Sequence, residues 1–137
     1  VHDVDVNSRL GPDPVLREVL AALPQRKAVF TNGSTCHASR VLAALGIEDI
    51  FEDVYDIRVA AYLPKPWPEP YHAVLEKLGT PPERCIMIED SRENLQTAKK
   101  LGMGTILVGD GQTPDYVDVH LDSAHHVSTG LRFWGQA

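Results

Sequence analysis

Residues 85–94 read CIMIEDSREN, and they are the clearest indication of the fold in this sequence. Its first four residues are continuously apolar, which predicts a short strand covered on both faces, as in a parallel sheet. Three acidic residues, Glu89, Asp90 and Glu93, follow within five positions. In open parallel sheets, ligands bind beyond the carboxyl ends of the strands. The stretch therefore predicts a buried strand that delivers carboxylates to a binding site.

Further strands and helices alternate around this strand. Strands are predicted at residues 27–30, 53–57, 85–88, 105–108 and 116–119. Helices are predicted at residues 14–23, 36–45, 68–78 and 94–101. Glycines at the ends of the last three helices stand where a left-handed cap falls. The alternation with short links predicts an α/β fold with a Rossmann-like, doubly wound parallel sheet, formed by residues 1–137 as one domain with a C-terminal tail at 122–137.

Composition excludes several classes of protein. The net charge of -6 excludes a nucleic-acid groove, which would need a clustered Lys/Arg face. No apolar run approaches the roughly 20 residues that span a bilayer, so we expect no membrane association. Cys36 and Cys85 lack a metal-binding or C-x-x-C spacing, which favours a reduced, cytoplasmic protein.

A polar turn follows the first predicted strand. It contains Thr31, Asn32, Gly33 and Ser34, whose hydroxyl, amide and backbone N–H groups can bind phosphate oxygens. The alternative is a helix cap in which Thr31 or Ser34 satisfies the first N–H groups of the next helix. The pattern alone leaves both interpretations open.

A lysine and a group of carboxylates form two further candidate sites. Lys65 stands between Pro64 and Pro66, which fix the backbone around it, and it could neutralise a phosphate and an adjacent carboxylate. The alternative is a solvated surface lysine. Glu89 and Asp90 repel each other unless a cation lies beside them, and Mg²⁺ needs only one or two carboxylates. The alternative is an acidic cap that complements the following helix dipole.

The order of these features resembles the haloacid dehalogenase-like hydrolase superfamily. Thr31 matches its second motif, Lys65 its third, and Glu89 with Asp90 its fourth. The similarity runs through residues 30–109 and implies the Rossmann-like core of that superfamily. Residues 23–27 and the Phe-Thr-Asn-Gly run at 30–33 are most similar to the pyrimidine 5'-nucleotidase branch.

The resemblance implies magnesium-dependent hydrolysis of a small phosphomonoester, a nucleoside 5'-monophosphate, through an aspartyl-phosphate. Thr31, Asn32 and Lys65 would be catalytic: the first two hold the phosphoryl group, and the lysine stabilises its charge. The remaining implied roles are substrate binding for Gly33 and Ser34, and metal binding for Asp90, Glu89 and Asn94.

The aspartate nucleophile of the superfamily belongs to a first motif at the end of an apolar strand. Asp3 and Asp5 have the right spacing, but only two residues precede them. By resemblance, residues 1–14 correspond to the end of the helical cap and its return linker. We therefore expect the first strand and most of the cap to be missing and the chain alone to be inactive. Two strand edges would then lack partners, which predicts a homodimer or strand exchange.

Two other classes compete with this interpretation. A catalytically inactive α/β module could use the same residues to bind phosphate, metal or a partner. A receiver-like signalling domain also combines acidic residues, a Thr or Ser and a lysine at strand ends. In such a domain the lysine would follow a late strand, whereas Lys65 precedes the strand at 85–88. The order of the motifs therefore excludes the receiver-like domain.

Overall fold

The computed structural model describes residues 11–135, which divide into two compact units. Unit 1 extends to Arg58, and unit 2 begins at Val59. Asp3, Asp5 and most of the predicted cap remnant lie outside the described residues. No helix in the described range combines the length and the apolar character needed to cross a membrane.

Unit 1 contains a two-stranded parallel sheet and two helices. Asp13 begins the first helix, because its carboxylate accepts a hydrogen bond from the backbone N–H of Leu16 at 3.0 Å. The second helix ends at Gly46, whose φ of 77° is the left-handed conformation predicted for this glycine. The elements are α1 (Pro14–Ala22), β1 (Ala28–Phe30), α2 (Thr35–Leu45) and β2 (Asp53–Tyr55).

Unit 2 contains a three-stranded parallel sheet in the order β3-β4-β5. Its core includes Leu95, Ile106 and Leu107, all 0% exposed. Continuous burial of neighbouring strand residues is typical of a sheet covered on both faces. The elements are α3 (Pro68–Leu78), β3 (Ile86–Glu89), α4 (Arg92–Leu101), β4 (Gly104–Val108), β5 (Val119–Leu121) and α5 (Val127–Gly130).

The predicted α/β class with parallel strands is confirmed, but the fifth strand was misplaced. It begins at Val119 rather than at Tyr116. The hydroxyl of Thr105 donates to the Tyr116 carbonyl at 2.7 Å, and the Asp118 carboxylate accepts from the Thr105 backbone N–H at 3.0 Å. Residues 116–118 therefore form a turn attached to β4 instead of a strand.

The segment after Leu121 has more structure than its weak periodicity indicated. It forms three short helical segments, Ala124–His126, Val127–Gly130 and Leu131–Trp134. Val127 is 1% exposed and Leu131 is 5% exposed, so the segment contributes to the core of unit 2.

Four of the five strands have one neighbour each within residues 11–135: β1 and β2 pair with each other, and β3 and β5 each pair with β4 alone. Each of these four strands therefore has one edge without a ladder partner in this part of the chain. Ile88 of β3 is 44% exposed, although the other side chains of the same sheet are largely covered.

Candidate functional site

The carboxyl end of β3 carries the acidic residues predicted to form a site. Glu89 is the last residue of the strand, and Asp90 lies in the link to α4 with an exposed side chain. Ser91 caps α4, because its hydroxyl accepts a hydrogen bond from the Asn94 backbone N–H at 3.3 Å. The link between strand and helix is only two residues long, which fixes the position of Asp90.

Lys65, Glu89 and Asn94 meet at this strand end. The Lys65 Nζ lies 2.8 Å from Glu89 Oε1, and the Asn94 Nδ2 donates to the same oxygen at 3.2 Å. The exposed fraction of the side chain is 5% for Lys65 and 12% for Glu89. The predicted cluster therefore forms, and Lys65 is a buried charge with a carboxylate partner rather than a solvated surface lysine.

The second oxygen of Glu89 is also engaged. Glu89 Oε2 accepts hydrogen bonds from the backbone N–H groups of Asp90 at 3.1 Å and Ser91 at 3.3 Å. A carboxylate has about four acceptor directions, and these two donors join Lys65 and Asn94 in using them. Glu89 therefore holds the lysine and the turn after β3 in a fixed arrangement.

The two adjacent carboxyl groups have opposite protonation tendencies. Burial acts to raise the pKa of Glu89, but the charge of Lys65 and the hydrogen bonds outweigh it, so this pKa lies below its usual value. The hydrogen bond with Glu89 raises the pKa of Asp90, and burial and the negative charge of Glu89 act in the same direction. The negative charge is therefore favoured on Glu89 and disfavoured on Asp90, and a cation beside Asp90 would relieve the repulsion between the two carboxylates.

The residues at this strand end fit a Mg²⁺ ion only in part. Asp90 offers an exposed carboxylate, and Mg²⁺ needs one or two carboxylates together with water and substrate oxygens. Within residues 11–135, no group of three or more His, Cys, Asp or Glu side chains is arranged to hold a metal ion. The exposed carboxylate of Asp90 is one ligand that this strand end can supply, and the metal-binding roles of Glu89 and Asn94 stay predictions.

A strained turn brings Lys65 to the strand end. Ala61 has a φ of 52° and Tyr62 a φ of 68°, a left-handed conformation that residues with a side chain adopt at a cost. Such conformations persist only where the surrounding structure holds them, and they concentrate at functional sites. No signal in the sequence predicted this turn.

The turn after β1 lies in unit 1 and is stabilised by its own side chains. The Thr31 hydroxyl accepts from the Gly33 backbone N–H at 3.0 Å, and the Ser34 hydroxyl caps α2 by accepting from the His37 backbone N–H at 3.0 Å. Asn32 has an exposed side chain in the same turn. The capping alternative therefore describes Ser34, and the substrate-binding roles of Thr31, Asn32, Gly33 and Ser34 stay predictions.

Asp56 is a buried carboxylate that the sequence reasoning missed. It follows β2, is 7% exposed, and accepts from the hydroxyl of Thr35 at 2.7 Å and from the backbone N–H of Arg58 at 2.9 Å. The Arg58 side chain, followed by these other donors, holds the pKa of Asp56 well below its usual value. Asp56 fixes the start of α2, and an Asp directly after a strand was the signal available for it.

In α/β folds with parallel strands, ligands bind beyond the carboxyl ends of the strands, and the buried pair of Lys65 and Glu89 lies at such an end. A family model described as "haloacid dehalogenase-like hydrolase" matches residues 1–102. The chain belongs to this family of hydrolases. The predicted superfamily is therefore confirmed.

Named relatives agree with this assignment. The chain is 35% identical over 97 residues to a phosphoglycolate phosphatase of Pectobacterium atrosepticum, a match that covers 66% of this chain and 40% of the relative. It is 29% identical over 102 residues to an (S)-2-haloacid dehalogenase of Xanthobacter autotrophicus, covering 74% of this chain and 40% of that protein. The chain thus spans about 40% of the length of these curated relatives.

A solved structure shows the same fold. The L-2-haloacid dehalogenase of Xanthobacter autotrophicus, crystallised with chloropropionic acid covalently bound, superposes with a TM-score of 0.76 at 22% identity. The match covers 90% of this chain and 58% of that chain. At this identity the likeness supports the fold alone.

Proposed function

We propose that this chain carries the phosphate-binding and magnesium-binding part of a phosphohydrolase that acts on small phosphomonoesters. The buried pair of Lys65 and Glu89 beside exposed Asp90 carries the proposal. A lysine ammonium held in place by a carboxylate can neutralise a transferring phosphoryl group. Asp90 would hold Mg²⁺, which supplies charge neutralisation for the phosphate oxygens.

The proposed substrate is a nucleoside 5'-monophosphate. Support comes from the similarity of residues 23–27 and 30–33 to pyrimidine 5'-nucleotidases. The names of several relatives point to phosphoglycolate instead, so the substrate test must include both compounds.

Hydrolysis through an aspartyl-phosphate needs an aspartate nucleophile at a strand end. No Asp-x-Asp pair occurs in residues 11–135, so the nucleophile of the proposed reaction lies outside this range. The β3 edge that lacks a ladder partner among the described residues would accept another strand, and Ile88 beside it offers apolar surface. A second copy of the chain, by dimerisation or strand exchange, is the proposed source of that strand. A cytoplasmic location likewise stays a prediction.

The test measures binding and turnover on the same samples of the whole chain. Binding of inorganic phosphate with Mg²⁺ is followed by calorimetry, and hydrolysis is assayed with UMP, phosphoglycolate and p-nitrophenyl phosphate. Asp90→Asn is the test variant, and Asp115→Asn, which also removes one exposed carboxylate, is the matched control.

We expect phosphate and Mg²⁺ to bind to the wild-type chain and to Asp115→Asn, and binding to be lost in Asp90→Asn. We expect no hydrolysis of UMP by this chain, because a second copy has the same sequence and adds no first-motif strand. Hydrolysis by the wild type that is lost in Asp90→Asn would mean that Asp3 or Asp5 acts as the nucleophile. Absence of phosphate and Mg²⁺ binding would contradict the proposed function.

A further inference from the structure

The Lys65–Pro66 turn is attached to α4 by a side-chain hydrogen bond. The hydroxyl of Thr97 donates to the backbone carbonyl of Pro66 at 2.6 Å. Thr97 lies three residues after Asn94, so both side chains lie on the same face of α4. One helix face therefore contacts the turn that delivers Lys65 and, through Asn94, the carboxylate that Lys65 binds.

Tyr71 connects the same helix to α3. Its hydroxyl donates to the backbone carbonyl of Asn94 at 2.6 Å. Tyr71 is only 1% exposed. Burial raises the pKa of Tyr71, and the negative charge of Glu89 acts in the same direction, so the phenol stays a donor.

These contacts add to the two backbone hydrogen bonds of the turn itself, from Leu63 N–H to the Ala60 carbonyl and from Trp67 N–H to the Pro64 carbonyl, both 3.0 Å. The two left-handed residues Ala61 and Tyr62 precede Lys65 and favour other conformations when released. Lys65 also brings a charge into a site where its side chain is only 5% exposed. The attachments made by Thr97 and Tyr71 therefore help to keep the lysine against Glu89.

We propose that Thr97 and Tyr71 are positioning residues for Lys65. Neither belongs to the motifs that the sequence identified, and neither contacts the proposed phosphate ligand. Thr97 holds the Pro66 carbonyl and Tyr71 holds the Asn94 carbonyl, so that Lys65, Glu89 and Asn94 stay within hydrogen-bonding distance. The consequence for catalysis rests on the proposed function, whereas the positioning of Lys65 does not.

The test measures how fast the Lys65 amine reacts with an acylating reagent in the folded whole chain, read site by site by mass spectrometry. Thr97→Val removes the hydroxyl with little change of shape, Thr97→Ser retains it, and Tyr71→Phe removes the second hydroxyl. We expect Lys65 to react about fivefold faster in Thr97→Val and in Tyr71→Phe, the change in an equilibrium that loss of one hydrogen bond produces. Thr97→Ser should react like the wild type.

Two controls separate positioning from a general loss of stability. Thr80→Val removes another threonine hydroxyl of unit 2, one that donates to the Leu78 carbonyl at 3.3 Å, and it should leave Lys65 unchanged. Lys99, paired with Asp118 in the same unit, should react equally in all variants. Unchanged Lys65 reactivity in both Thr97→Val and Tyr71→Phe, or an equal rise in Thr80→Val, would overturn the proposal.

Inorganic phosphate with Mg²⁺ distinguishes this proposal from the proposed function. If phosphate protects Lys65 of the wild type from acylation, the lysine contacts the anion and the proposed function is supported. If phosphate gives no protection while Thr97→Val still exposes Lys65, the positioning role stands and the phosphate-binding role fails.

Discussion

Among the described residues of unit 2, two lysine–carboxylate pairs lie at opposite ends of one sheet. Lys65 and Glu89 meet at the carboxyl end of β3, with side chains 5% and 12% exposed. Lys99 and Asp118 meet beside Thr105 near the amino end of β4, with side chains 36% and 20% exposed. The distances between the charged atoms are similar, 2.8 Å and 2.7 Å.

The partners of the two carboxylates explain their different roles. Asp118 accepts from the backbone N–H of Thr105 and so completes the attachment of a turn to β4. Glu89 accepts from the backbone of the link that carries Asp90, an exposed carboxylate with a raised pKa. The Lys65–Glu89 pair is therefore the functional candidate because it lies at a strand's carboxyl end beside the exposed carboxylate of Asp90. The distance between its charges does not distinguish it.

Replacing Lys65 should have the largest effect on stability. Lys65→Met leaves the Glu89 carboxylate buried without its cation, and we expect a loss of about 3–5 kcal/mol in the free energy of unfolding. Urea denaturation followed by circular dichroism measures it. The double variant Lys65→Met/Glu89→Leu removes both charges and should recover most of the loss. If the double variant is as unstable as the single one, the pair is not the source of the effect.

Asp56 in unit 1 is also a carboxylate at a strand's carboxyl end, and we expect it to stabilise the fold. Its donors hold its pKa below the ordinary 3.8, so its contribution to stability is complete above that value and is lost as pH falls through the lowered pKa. Asp56→Asn should therefore unfold more easily at pH 7, and the difference should shrink below pH about 4. Asp53→Asn, at an exposed position in β2, is the control. If the difference in stability between the wild type and Asp56→Asn grew as the pH fell, the ionised Asp56 carboxylate would not be the stabilising group.

Replacing Thr105, near the amino end of β4, should have the next largest effect on stability. It is 0% exposed, and its hydroxyl also accepts from the Asp118 backbone N–H at 2.9 Å. Thr105→Val leaves this N–H and the Tyr116 carbonyl without that partner, at a cost of about 1–3 kcal/mol. Thermal unfolding checks it, and phosphate binding should be unaffected. Loss of phosphate binding in the folded variant would erase the distinction between the two ends.

Lys99 should have the smallest effect. Its pair with Asp118 is partly solvated, so Lys99→Met should cost less than about 1 kcal/mol. In 1 M salt, where charges are screened beyond about 3 Å, the difference from the wild type should vanish, whereas that of Lys65→Met should persist. Denaturation at two salt concentrations measures both. Equal salt sensitivity of the two variants would contradict the difference in burial.

Local patterns predicted most of the fold. Gly79 and Gly102 end α3 and α4 in left-handed conformations, as their places after apolar helices indicated. Strand β3 was predicted from four apolar residues. The predicted position of the fifth strand was wrong because Asp118 and Tyr116 form hydrogen bonds with Thr105, a partner that the local sequence does not reveal.

The sequence predicted which residues form the candidate site and, in part, how they contact one another. The motif order indicated Lys65, Glu89 and Asp90, and the expectation that Lys65 neutralises a carboxylate is confirmed by its bond to Glu89. The hydrogen bond of Thr97 to Pro66 joins residues 31 positions apart, and no pattern along the chain encodes it. Such contacts depend on how α4 packs, which is a tertiary property.

Chemical-shift mapping of the ¹⁵N-labelled chain with Mg²⁺ and inorganic phosphate tests the central claim most directly. The claim is that the carboxyl end of β3 binds phosphate and metal, and that the Lys99 end of the sheet does not. We expect chemical-shift changes at the backbone amides of Lys65, Asp90 and Asn94, with those of Thr105 and Asp118 unchanged. Shifts at Thr105 and Asp118 instead, or no shift at Asp90, would contradict it.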